Sequence, residues 1–96
     1  MQQTLSSLKK TIPPILKKHG VIKADLFGSY ARGDAKKGSD VDILVSLKKS
    51  SSLLDLIALQ QELEEVLNNK VDVVTYRSIH PLLRKSIMRD REYLYG

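Results

Sequence analysis

The stretch Gly28–Val45, "GSYARGDAKKGSDVDILV", decides how this chain folds. It opens on a glycine–serine turn and closes on an alternating run. Along Val41–Leu47 the residues Val41, Ile43 and Val45 share one face, and Asp40, Asp42 and Leu44 share the other, which is the period of a β-strand. Two aspartates two residues apart therefore point the same way, with roughly 7 Å between their Cα atoms. Both would be ionised in water at neutral pH. Held together without a counter-charge, one would be driven to take up a proton.

A divalent cation removes that conflict, because carboxylates are hard oxygen donors and Mg²⁺ takes one or two of them together with substrate phosphates. Taken alone, Asp-x-Asp reads more readily as a turn-capping acid next to a solvent-facing one. Two neighbours bear on the choice. Gly28 and Ser29 follow a short apolar run, "ADLFG" over Ala24–Gly28. A glycine there lets backbone come close to a phosphate, and the serine offers a hydroxyl and an amide. Arg32 lies within one turn, and a guanidinium suits a phosphate fork. A plain structural turn with a surface arginine explains the same residues equally well. Asp72 adds a third acid, set among β-branched residues in "VDVVTY" where a charge is costly. If that strand lies beside Val41–Leu47, three carboxylates could converge.

Working outward, apolar spacing predicts helices on both sides of these strands. Leu5, Leu8, Ile12, Ile15 and Leu16 are helical in period, but Pro13 and Pro14 interrupt them. The expectation is one short helix ending near Thr11 and a second opening at the prolines. Gly20 is placed to cap its end. Ser52 and Asp55 form a capping-box-like start to a helix whose buried stripe would be Leu53, Leu56, Leu59, Leu63, Val66 and Leu67. Ser78 would cap a last helix over 79–90, with Leu82, Leu83, Ile87 and Met88 inward, and "EYLY" is a candidate edge strand. Residues 1–96 read as one α/β domain, a small mixed β-sheet with flanking helices in the order α-β-α-β-α-β-α.

Bulk composition sets the outer limits. The chain has 96 residues, no cysteine, 42% apolar and 28% charged residues. Disulfides and thiolate metal sites are therefore excluded. The first residues lack the apolar core of a signal peptide, and no apolar run approaches a membrane span. The cytoplasm is the expected location, with no membrane partner. The net charge of +5 suits phosphate-rich partners, yet charge alone is weak evidence.

The combined pattern, Gly-Ser-x-Ala-Arg-Gly, a short spacer and Ser-Asp-x-Asp-hydrophobic, resembles the signature of the DNA polymerase beta-like nucleotidyltransferase superfamily in its minimal form. Every signature position over these 18 residues is filled. The resemblance implies the polymerase beta-like fold. It implies that Asp40 and Asp42 hold two Mg²⁺ ions and the triphosphate, and that Asp72 is the third carboxylate. It also implies that Gly28, Ser29 and Arg32 contact the triphosphate, with Ser39 assisting. The implied substrate is a nucleoside triphosphate, ATP first, and the reaction moves a nucleoside monophosphate to an acceptor.

Minimal domains of this family are often paired with a small helical HEPN protein as antitoxin with toxin, and modify a tyrosine of that partner with AMP. The resemblance extends that expectation to this chain. The alternatives are a non-catalytic antitoxin or binding subunit that neutralises a partner by contact, and an accessory that binds nucleic acid, which only the charge suggests. Three costly acids argue against the contact-only reading. His19 and His80 lie at helix boundaries without ligand spacing. Lys36 and Lys37, and the basic run Arg77, Arg84, Lys85, Arg89 and Arg91, read as solvated surface. Tyr30 fills the variable motif position. Tyr93 and Tyr95 suit packing or self-association into a homo-oligomer.

Overall fold

The computed structural model describes residues 3–96. Helix α1 (Leu5–Lys18) leads into strand β1 (Val21–Phe27), a single helical turn α2 (Ser29–Arg32) and strand β2 (Val41–Leu47). Helix α3 (Leu53–Leu67) then crosses to strand β3 (Val71–Thr75). A 3₁₀ turn over Tyr76–Ser78, helix α4 (Pro81–Asp90) and strand β4 (Glu92–Tyr95) complete the order. The sheet runs β3-β2-β1-β4. β1 is antiparallel to both β2 and β4, while β2 and β3 are parallel and need the α3 crossover. The α/β class and mixed sheet expected from the sequence are what forms, and "EYLY" is the added edge strand.

Alternation sorts the two faces of the sheet. Ala24 and Leu26 of β1, Val41, Ile43 and Val45 of β2, and Val71 and Val73 of β3 point into the core. There they meet Leu8, Ile12, Ile15 and Leu16 of α1 and Leu59, Leu63 and Leu67 of α3. The opposite face carries Asp25, Asp42, Leu44 and Asp72, and α4 lies on that side.

Four expectations are corrected. Helix α1 is continuous, with Pro13 and Pro14 inside it. Their missing N–H groups would have bonded the carbonyls of Lys9 and Lys10, two residues on the exposed side where water takes over. The buried row of Leu8, Ile12, Ile15 and Leu16 outweighs that local loss. The α3 stripe narrows to Leu59, Leu63 and Leu67, because the helix packs by its second half; Leu53 and Val66 are exposed. The cap of α4 is His80, whose Nδ1 accepts the Leu82 N–H at 3.1 Å with Pro81 in the first turn, while Ser78 bonds Thr75. Leu82 and Leu83 do not face inward: they are 86% and 57% exposed, because α4 meets the sheet only by its C-terminal half.

The Ser52–Asp55 start holds, with the Asp55 carboxylate accepting the Ser52 N–H at 2.7 Å. His19 does more than end a helix. With Lys18 it pairs with Glu62 of α3, at 2.9 and 3.0 Å, and these bonds hold the Glu62 carboxyl below its ordinary range. No helix among the described residues is long and apolar enough to cross a membrane.

Candidate active site

The site is built where β1 ends. Phe27 pairs with Asp42 across the antiparallel ladder, and the chain then turns at Gly28. Gly28 has φ 76° and ψ −155°, a region open in practice only to glycine. The reason lies opposite: a Cβ on Gly28 would run into the Asp42 carboxylate. The turn therefore lies directly against the acid, and Ser29 opens α2 beside it. Arg32, at the end of α2, donates from Nε to Asp34 at 3.3 Å and lends a favourable positive charge to Asp42.

The parallel register places Asp42 opposite Asp72. Asp40 precedes β2, half-exposed, with Lys70 Nζ 3.9 Å from its Oδ2. Burial, then the charge of Asp72, then that of Asp40 push the Asp42 carboxyl up to about 6, against the smaller opposing pull of Arg32. This is the conflict that two acids on one strand create, made sharper by a third on the next strand. Among the described residues no three His, Cys, Asp or Glu side chains are gathered closely enough to hold a metal ion unaided. Asp42 flanked by Asp40 and Asp72 matches instead a cation site that substrate phosphates complete, since Mg²⁺ uses one or two carboxylates and keeps positions for phosphate or water.

Ser39 is placed in the turn before β2. Its hydroxyl accepts the Lys36 N–H at 2.8 Å, and its carbonyl accepts from the Asn69 side chain at 2.9 Å. The spacer loop is thereby tied to the loop before β3. The structure thus brings Gly28, Ser29, Arg32 and Asp42 together around one cleft, with Asp72 in register with Asp42 and Asp40 just before β2; neither Asp72 nor Asp40 lines the cleft itself.

That cleft has a volume of about 360 Å³, and its far wall is α4, through Ser86, Ile87 and Asp90. The sequence reading put Ile87 on the inward face of its helix but placed none of these three at a site. It also missed Asp25, the buried acid of β1, 3% exposed on the same sheet face. The signal was present: with Ala24 and Leu26 in the core, the period of two puts Asp25 on the side of Asp42. The Tyr76 hydroxyl donates to Asp25 at 2.5 Å, and Arg91 Nε stands 3.7 Å away. Burial, then the bond to Asp25 and its charge, drive the Tyr76 phenol well above its ordinary range. Arg84 of α4 donates to the Tyr76 carbonyl at 3.2 Å, so Arg84 and Arg91 tie α4 and the residue after it to the Tyr76–Asp25 pair. Tyr76→Phe removes the closest donor to a buried carboxylate. It should cost about 1–3 kcal/mol of stability, measured by urea unfolding. An unchanged midpoint would mean that Arg91 alone satisfies Asp25.

A glycine–serine turn is thus pressed on a carboxylate, with a second carboxylate in register on the neighbouring parallel strand, and comparison with known proteins gives the class of enzyme, a nucleotidyltransferase. The model of the nucleotidyltransferase domain matches residues 8–94, and the chain belongs to that family. A Methanocaldococcus jannaschii protein, provisionally named a protein adenylyltransferase, is 55% identical over 86 residues, 90% of this chain and 92% of the relative. The protein adenylyltransferase MntA of Thermococcus cleftensis is 43% identical over 75 residues, 78% of this chain and 76% of its own length. A solved toxin–antitoxin structure with AMP-PNP superposes with a TM-score of 0.79 at 28% identity, over 92% of this chain and 73% of that one.

Proposed function

We propose that this chain is a Mg²⁺-dependent protein adenylyltransferase and the antitoxin of a pair. It would move AMP from ATP to a tyrosine of a HEPN partner. The observation that carries the reading is the contact between the Gly28 turn and Asp42, with Asp72 opposite. The names of the similar proteins support protein as the acceptor and antitoxin as the role.

In the reaction the acceptor oxygen attacks the α-phosphorus. The bond from that phosphorus to the bridging oxygen of the β-phosphate breaks, pyrophosphate leaves, and the hydroxyl proton is lost. Asp40, Asp42 and Asp72 are the residues that would hold two Mg²⁺ ions. Ions held there would supply positive charge to offset the negative charge that develops on the attacking and leaving oxygens. Gly28 leaves room for the triphosphate, Ser29 would hydrogen-bond it, Arg32 would hold it by charge, and Ser39 would support the loop that meets it. The raised affinity of Asp42 for a proton comes from burial first and then from Asp72 and Asp40, and it supports the cation assignment because a bound cation would offset both.

The test is to incubate the protein with Mg²⁺, the product of the neighbouring gene, and α-labelled ATP, GTP, CTP or UTP in turn. Label should pass from ATP to a tyrosine of the partner, and not when Asp42→Asn replaces the wild type. A tight complex with no label under any condition would overturn the proposal in favour of neutralisation by contact.

A further inference from the structure

Asp90 is the last residue of α4. An acid in that position meets the negative end of the helix, where a cation would be preferred, so helix stability gives no reason for it. Among the described residues its one ion pair, Arg89 Nε to Oδ1, is long at 3.5 Å and made with an arginine side chain that is 73% exposed. What Asp90 does face is the cleft. Ser86, Ile87 and Asp90 are spaced i, i+1 and i+4, so they form one stripe of α4, and that stripe is the wall opposite Gly28, Ser29 and Arg32.

The two walls differ in chemistry. The Gly28 wall carries the turn, the hydroxyl and the guanidinium that suit phosphates. The α4 wall carries a carboxylate, which repels phosphates, next to a hydroxyl and a branched apolar side chain. Asp90 comes from α4, whereas Asp40, Asp42 and Asp72 belong to the β2 and β3 side of the cleft. With the triphosphate on the first wall, the part of the substrate left for the second is the neutral nucleoside. The groups on a nucleoside that best fit a carboxylate are the vicinal hydroxyls of the ribose, two donors on one side of a ring. The cleft is large enough for a small-ligand pocket, which begins at about 300 Å³.

We infer that the α4 wall reads the sugar of the nucleotide. The Asp90 carboxylate accepts hydrogen bonds from the ribose hydroxyls, with Ser86 beside it and Ile87 packing the sugar, so that ribonucleotides are selected over deoxyribonucleotides. The inference rests on the nucleotidyltransferase reading of the cleft and adds to it a residue that sets specificity.

Binding of ATP, 2′-deoxy-ATP and 3′-deoxy-ATP, each with Mg²⁺, is measured by calorimetric titration for the wild type, Asp90→Ala and Asp90→Asn. The wild type should lose about tenfold or more in affinity on loss of a sugar hydroxyl, the size of a hydrogen bond to a charged group. In Asp90→Ala the ratio of ATP to deoxy-ATP affinities should fall towards one. Asp90→Asn keeps an acceptor without the charge, so it should give an intermediate ratio. The ratio is internal to each variant, so a general loss of fold cannot imitate the result. Equal binding of the three nucleotides by the wild type, or an unchanged ratio in Asp90→Ala, overturns the inference and leaves the wider reading intact. Failure of the wild type to bind any nucleoside triphosphate overturns both.

Discussion

Asp42→Asn should abolish AMP transfer, by a factor on the order of 10³, and at the same time make the free protein more resistant to heat. The two effects have one origin. Burial and the neighbouring charges of Asp72 and Asp40 resist ionisation of Asp42, so its carboxyl titrates at about 6 rather than at the ordinary 3.8. Between those values the folded protein holds a proton that the unfolded chain has released. Stability therefore falls as pH rises through that window, and stays lower above it. Asparagine has the same shape and no charge to lose. The excess unfolding temperature of Asp42→Asn over the wild type, with chelator present, should be near zero at pH 4 and grow to a plateau above pH 7. Adding Mg²⁺ with ATP at pH 7.5 should raise the wild type and not the variant, by mass action on the folded state. Parallel unfolding curves at every pH would show that Asp42 carries no such tension.

Gly28→Ala should be nearly as damaging, for a steric reason. The added methyl group has two problems at once. Its backbone must hold φ 76° and ψ −155°, which costs a residue with a Cβ about 1–3 kcal/mol. The Cβ itself meets the Asp42 carboxylate. Relief requires moving either the turn or the acid, and a shift of about 1 Å is enough to lose roughly a hundredfold in rate. We expect kcat/KM to drop at least that far, with a measurable loss of stability in urea. Activity near that of the wild type would mean that the turn does not hold the triphosphate against Asp42.

The core faces of the strands were legible from sequence alone. Val41, Ile43, Val45 and Leu47 stand at every second place, so the limits of that strand and its core face were readable, and Asp40 and Asp42 followed from it, although Leu44 on the other face is buried as well. The turn at Gly28–Ser29 was not decided by its own residues, which suit a plain turn with a surface arginine equally well; only the resemblance of the whole pattern over Gly28–Val45 singled it out. Helix α4 was misread for a physical reason. Its sequence is amphipathic, but the sheet under it is narrow and offers cover only near Ile87, Met88 and Asp90, so Leu82 and Leu83 are left outside. Periodicity says which residues share a face, not how much surface waits to cover it. The same gap hid the cleft wall, since Ser86 and Asp90 gain meaning only from the turn they face across space. The continuous α1 went unseen because proline rules are local, whereas four buried side chains of that helix are held by the rest of the molecule.

The register that brings Asp72 opposite Asp42 also places it on β3, the outermost strand of the sheet on that side. Without it the strand would read Val71, then Val73, Val74 and Thr75, a short run of strong β-formers along an open edge. Such an edge is a template on which another chain can add. A charge near the start of the run makes that addition costly. Asp72 therefore guards the molecule against its own copies, and its replacement by valine should be seen first as turbidity at high concentration, before any assay of transfer.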